Sequence, residues 1–60
     1  MRIVDEIKGK DLIFVQQDFE TKTFYEIYYL GSKIYQCKNN FDEALKTWTH
    51  AVQALACSKS

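Results

Sequence analysis

The stretch FYEIYYLGSKIY, residues 24–35, decides how this chain is read. Alternate side chains of a strand point to opposite sides. Phe24, Glu26, Tyr28 and Leu30 therefore share one side, and Tyr25, Ile27 and Tyr29 share the other. Both sides are mostly apolar or aromatic, which is more than a short chain can cover with its own residues. Gly31-Ser32 reads as the centre of a type II′ turn with Gly31 in first place, and KIYQCK (33–38) returns as the next strand.

Upstream, DLIFVQQDF (11–19) is rich in β-branched and aromatic residues, and ETKT (20–23) is a polar turn. Downstream, NN (39–40) leads into NFDEALKTWTHAVQALA (40–56). Asn40 is a favoured helix N-cap, with Glu43 three residues later in capping-box spacing. Asp42 and Glu43 lie at the positive end of the helix dipole. Phe41, Leu45, Trp48, Val52 and Leu55 recur at helical spacing as one stripe, flanked by Ala44 and Ala51, while Glu43, Lys46, Thr47, His50 and Gln53 lie outward.

The expected fold is α+β. It is a three-stranded antiparallel meander, with strands about 12–19, 23–30 and 33–38 and one C-terminal helix about 41–56 packed on one face. Residues 1–60 read as a single small domain. RIVDEIKGK (2–10) is compatible with a fourth short strand turning near Gly9, or with one helical turn using Ile3, Val4 and Ile7; the strand is preferred.

A turn centred on Thr21-Lys22 sets Phe19 opposite Phe24, Val15 opposite Tyr28 and Ile13 opposite Leu30. A turn at Gly31-Ser32 sets Tyr28 opposite Tyr35 and Tyr29 opposite Ile34. One face then carries Leu12, Phe14, Ile27, Tyr29 and Ile34, with Tyr25 at its margin. The other carries Ile13, Val15, Phe19, Phe24, Tyr28, Leu30, Tyr35 and Cys37 around Gln17 and Glu26. A one-residue slip in either turn would reshuffle these lists. The helix is expected on the first face, because a carboxylate at Glu26 is costly to bury without a partner.

Composition narrows the function. Eight basic and eight acidic residues interleave to zero net charge, which argues against nucleic acid, since phosphate binding needs clustered positive charge. No run approaches the roughly 20 apolar residues of a membrane span, and the first 20 residues lack the apolar core of an export signal. A cytoplasmic chain with reduced thiols is the expectation.

Candidate chemistry is sparse. His50 has Lys46, Thr47, Gln53 and Ala54 as helical neighbours, without a carboxylate or thiol to make it catalytic. Cys37 and Cys57 show no metal-ligand spacing. A helix of 16 residues would separate them by roughly 24 Å, too far for a disulfide. Cys37 reads as half-buried packing and Cys57 as a free thiol at the helix end. The adjacent acids Asp5-Glu6 and Asp42-Glu43 point apart; the first pair reads as solvated, the second as capping. Gly9 and Gly31 are isolated and belong to no phosphate-cradling loop. No enzyme, metal site or cofactor is expected.

Aromatic content is the remaining signal, with four Phe, four Tyr and one Trp in 60 residues. Aromatics on a sheet face serve as protein-interface anchors or as stacking platforms for single-stranded nucleic acid. The candidate partner-binding residues are Val15, Phe19, Phe24, Glu26, Tyr28, Leu30 and Tyr35; Glu26 reads first as a half-exposed strand residue paired with a cross-strand neighbour, and alternatively as an anchor for a partner's Arg or Lys. The partner is another copy of the chain or a larger protein. The stretch GSKIYQCKNNFDEALKTW, a hairpin strand feeding an FDEAL helix, completes a strand-strand-strand-helix order that resembles the arm-binding domains of tyrosine integrases. That resemblance implies a nucleic-acid-binding sheet domain as the alternative function.

Overall fold

The structure is a computed structural model that describes residues 1–57, the side chain of Cys57 excepted, so the free thiol expected at Cys57 lies outside the described residues. Four strands precede one helix: β1 (Arg2–Ile7), β2 (Leu12–Phe19), β3 (Lys22–Tyr29), β4 (Ser32–Lys38) and α1 (Phe41–Cys57). The sheet is an antiparallel meander in the order β1-β2-β3-β4, with the helix packed on one face, an α+β architecture. The N-terminal segment is the fourth strand. It reaches β2 through a short 3-10 turn, Lys8–Lys10, and Asp11 closes that turn in the left-handed region at φ 54°.

Both hairpins turn one residue earlier than the sequence suggests. The β2–β3 loop is Glu20-Thr21, with Glu20 at φ 58°, and Phe19 pairs with Lys22. Val15 therefore faces Glu26, Gln17 faces Phe24 and Ile13 faces Tyr28. The partners slide by two residues, and a slide of two keeps every side chain on its own face. The β3–β4 loop is Leu30-Gly31, with φ of 54° and 84°, and Tyr29 pairs with Ser32. Two consecutive positive φ angles are the signature of a type I′ turn, which suits the strand twist, in place of the expected II′. Gly31 supplies its share of that geometry without steric cost.

One correction matters more. The β3–β4 register shifts between Ile27 and Tyr28: Lys33 pairs with Tyr28, but Tyr35 pairs with Ile27. Ile34 is the extra residue of a β-bulge, and beyond it every β4 side chain changes face. Tyr35 and Cys37 now lie beside Ile27 and Tyr25 under the helix, while Gln36 and Lys38 join Glu26 and Phe24 on the other side. Ile34, expected in the core layer, is exposed.

The helix covers the face expected for it. Its core is Leu12, Phe14, Ile27, Ala44 and Trp48. Phe14 sits at the centre: its ring stacks on Trp48 at 5.3 Å and 24°, and on Phe41 at 6.3 Å and 11°. Tyr25 tilts against Phe41 at 5.4 Å and 60°. Ala44 is fully buried, and Ala51, Val52 and Leu55 are half-buried. The buried stripe is therefore turned toward Ala44 relative to the expected one, leaving Phe41 and Leu45 each 42% exposed. Phe14 and Trp48 stack at this contact, and Ala44, with only a methyl group, is fully enclosed beside them.

The helix start follows the sequence. Asn40 Oδ1 accepts from the backbone N–H of Glu43 at 3.0 Å. Just before it, Asn39 adopts φ 55° and clasps Thr23: its N–H donates to the Thr23 carbonyl at 2.7 Å, and its Oδ1 accepts from the Thr23 N–H at 2.9 Å. This fixes where the chain leaves the sheet and swings back over it.

Candidate interaction surface

The face turned away from the helix is built by the alternate residues of all four strands. β2 contributes Ile13, Val15, Gln17 and Phe19, β3 contributes Phe24, Glu26 and Tyr28, and β1 adds Ile3 and Glu6 through its pairing with Val15 and Ile13. After the bulge, β4 supplies Gln36 and Lys38, and before it Lys33. No element lies over this face among the described residues.

The centre of this open face is nonetheless closed to water. Val15 is 3% exposed and Glu26 5% exposed. They are shielded sideways by their neighbours on the same face. The Glu26 carboxylate is fully engaged: Oε1 accepts from Tyr28 Oη at 2.8 Å and from Gln17 Nε2 at 2.9 Å, and Oε2 lies 3.7 Å from Lys33 Nζ. Lys33 in turn donates to Gln36 Oε1 at 2.7 Å. A carboxylate out of water is tolerable only with such partners. The hydrogen bond to Glu26, then burial and the nearby negative charge, raise the Tyr28 hydroxyl above its ordinary pKa of 10.0, because a phenolate beside a carboxylate is disfavoured.

This is the first reading of Glu26, a strand residue paired within its own chain, though buried rather than half-exposed. It is not a spare anion waiting for a partner's cation, because its own chain supplies Lys33, Gln17 and Tyr28. What the network creates is a neutral, internally satisfied patch. Beside it, Met1, Ile3, Ile13, Val15, Tyr28 and Gly31 line a shallow apolar depression of about 370 Å³.

Of the residues expected to bind a partner, Val15, Phe19, Phe24, Glu26 and Tyr28 lie on this face. Leu30 sits in the β3–β4 loop at its end, exposed. Tyr35 does not belong: the bulge turns it under the helix, near Cys37 and Thr47. A hydrogen bond to Cys37 and burial hold its hydroxyl above the ordinary pKa of 10.0 despite an opposing hydrogen bond from Thr47. Ile3 and Met1 join this face as well, although the sequence reading gives the N-terminal strand no register. The alternation in RIVDEI carries the signal only weakly, since a bulge between Ile3 and Asp5 interrupts it.

Other candidates resolve simply. His50 is exposed on the outer side of the helix. Cys37 is half-buried, its thiol 3.4 Å from the Asn40 carbonyl. Asp5 is exposed, as expected of it, and also accepts from the Trp48 indole N–H through Oδ2 at 3.2 Å and from the Glu6 backbone N–H at 2.7 Å. No trio of His, Cys, Asp or Glu side chains positioned for a metal occurs among the described residues, and no helix there is long and apolar enough to cross a membrane. Comparison with protein-family models, with curated proteins and with solved structures finds no match for this chain.

Proposed function

We propose that this chain is a small, non-enzymatic interaction module of the cytosol that docks on protein through the open face of its sheet. One observation carries the reading. An apolar depression flanked by Ile3, Ile13 and Tyr28 lies beside a polar network whose buried atoms all have partners within the chain. Covering such a surface gains apolar burial without orphaning a buried charge. Exposed apolar surface rimmed by polar residues is where soluble proteins bind partners.

The test compares the elution of the tagged chain in cell extract with that of its Tyr28→Ala variant. The wild-type chain should run well above its 7.1 kDa mass, and the variant should return to the monomer position with its circular dichroism unchanged. A wild-type chain that elutes as a monomer in extract and after purification overturns the reading.

A second reading has its own observation. Phe19 and Phe24 share one end of the open face with Lys22 and Lys38, by their pairings across β2, β3 and β4. Aromatics beside lysines suit single-stranded nucleic acid. Against it, the chain carries no net charge. Fluorescence anisotropy with labelled oligonucleotides at roughly 150 mM salt is expected to show nothing tighter than the usual non-specific range of about 1–100 μM. A sub-micromolar constant would put this reading first.

A further inference from the structure

The open face is complementary to itself. The strand pairings align Glu6, Ile13, Tyr28 and Lys33 in one row across β1, β2, β3 and β4. The next row is Ile3, Val15, Glu26 and Gln36. The first row thus runs from an acid on one edge strand, through an aliphatic and an aromatic, to a base on the other edge strand.

Resting on the reading above, we propose that the occupant of this face is a second copy of the chain. The two sheets pack face to face about a two-fold axis that runs along the strands, so that β1 of each copy lies over β4 of the other. Such a rotation keeps each row at its own level and reverses its order. Glu6 then meets Lys33 of the second copy, and Ile13 meets Tyr28 of the second copy, each contact occurring twice. In the second row Val15 comes over the carboxylate of Glu26, whose oxygens are already taken within its own chain. The other face-to-face two-fold, with its axis across the strands, sets β4 over β4 and brings Lys33 and Lys38 of both copies together. Like charges directly opposed disfavour that arrangement.

The dimensions are consistent with a real but modest interface. Four strands about 4.8 Å apart and roughly 25 Å long present a projected area of roughly 500 Å² per copy. The total, about 1,000 Å², is the least that a biological interface should clear and belongs to the weak, reversible class. Glu6 and Lys33 lie on edge strands, so their charged heads keep access to water at the rim while their stems are covered.

The pair can be read directly. Within one copy Glu6 and Lys33 are on opposite edges, separated by three strand spacings, roughly 14 Å. A zero-length carbodiimide amide between them forms only between copies. Purified chain from about 10 to about 500 μM should show a concentration-dependent dimer by light scattering, with that amide found in its peptides. Glu6→Lys should weaken self-association on the order of tenfold, and so should Lys33→Glu. Mixing the two variants should restore it, because each contact then joins opposite charges again. Lys33→Glu also sets a carboxylate beside Glu26; if it melts early, the amide in the wild-type chain decides by itself. A purified chain that stays monomeric over this range, while still running large in extract, overturns the second copy and leaves a different protein as the occupant. A dimer without the Glu6–Lys33 amide overturns the proposed packing.

Discussion

Each face of the sheet pairs one carboxylate with one aromatic donor, and the two pairs do different jobs. On the helix side, Asp5 takes the Trp48 indole N–H and ties the edge strand β1 to the middle of α1, 43 residues away in the chain. On the open side, Glu26 takes the Tyr28 hydroxyl from two residues along the same strand. The first bond joins layers; the second only tidies a surface. Phe14 and Val15 make the same point as neighbours in β2. Phe14 is buried by rings from β3 and α1 stacked above and beside it, whereas Val15 is buried only by residues at its own level. Low exposure therefore has two origins here, and only the first implies a folded layer that would be lost with one side chain.

The largest test of that contrast is Trp48→Ala. It removes the stacked partner of Phe14, leaves a cavity and frees Asp5, at about 3–5 kcal/mol. A domain this small holds only roughly that much, so the variant should lack a cooperative melt by circular dichroism. A near-wild-type melt would remove Trp48 from the core.

Glu26→Ala should come next. It strips the shared acceptor from Gln17 and Tyr28 and the counter-charge from Lys33. Tyr28 and Lys33 can turn to water, so the loss belongs near the lower end of the about 1–3 kcal/mol for an orphaned buried group. Urea unfolding would measure it, and a loss as large as that of Trp48→Ala would mean that the open face is a second core. Leu45→Ala should be smaller still. A fully buried Leu→Ala costs about 2–5 kcal/mol, but Leu45 is 42% exposed beside the Asp5–Trp48 bond. About 1 kcal/mol is expected by the same unfolding measurement, and a larger value would place Leu45 in the core stripe after all.

The smallest effect is on pH. Tyr28 is raised in the folded chain, so its contribution is whole below the unfolded value near 10.0 and fades as pH climbs through the folded one. Glu26→Gln removes the charge that disfavours the phenolate. Ultraviolet titration of the tyrosines should then show one hydroxyl ionising at lower pH than in the wild-type chain; an unchanged titration would separate Tyr28 from Glu26.

Much of this molecule is local and was legible as such. The Asn40 cap, the strand-rich runs, and the alternation of Phe14 against Val15 and of Ile27 against Tyr28 are properties of a few adjacent residues. They gave the meander, the helix and the choice of covered face, because a face with Glu26 at its centre is the harder one to bury. Local rules also survived the two-residue slide at Glu20-Thr21, since a strand's period of two makes such a slide invisible to its faces.

What the tertiary structure alone decided is everything that depends on a count between distant residues. The bulge at Ile34 adds one residue to one strand, and that single residue moves Tyr35 and Cys37 from the open face to the core. Nothing in KIYQCK announces it; it follows from fitting a tight I′ loop at Leu30-Gly31 together with the clasp of Asn39 on Thr23 at the far end of the same hairpin. The Asp5–Trp48 bond and the turn of the helix toward Ala44 have the same origin. The sequence by itself determined which segments are strands and which is helix, because hydrogen bonding and apolar periodicity act within a few residues. Register, and with it the membership of each face, was settled only when four strands and a helix had to close around Phe14 and Trp48 at once, because packing acts between residues that the chain keeps far apart.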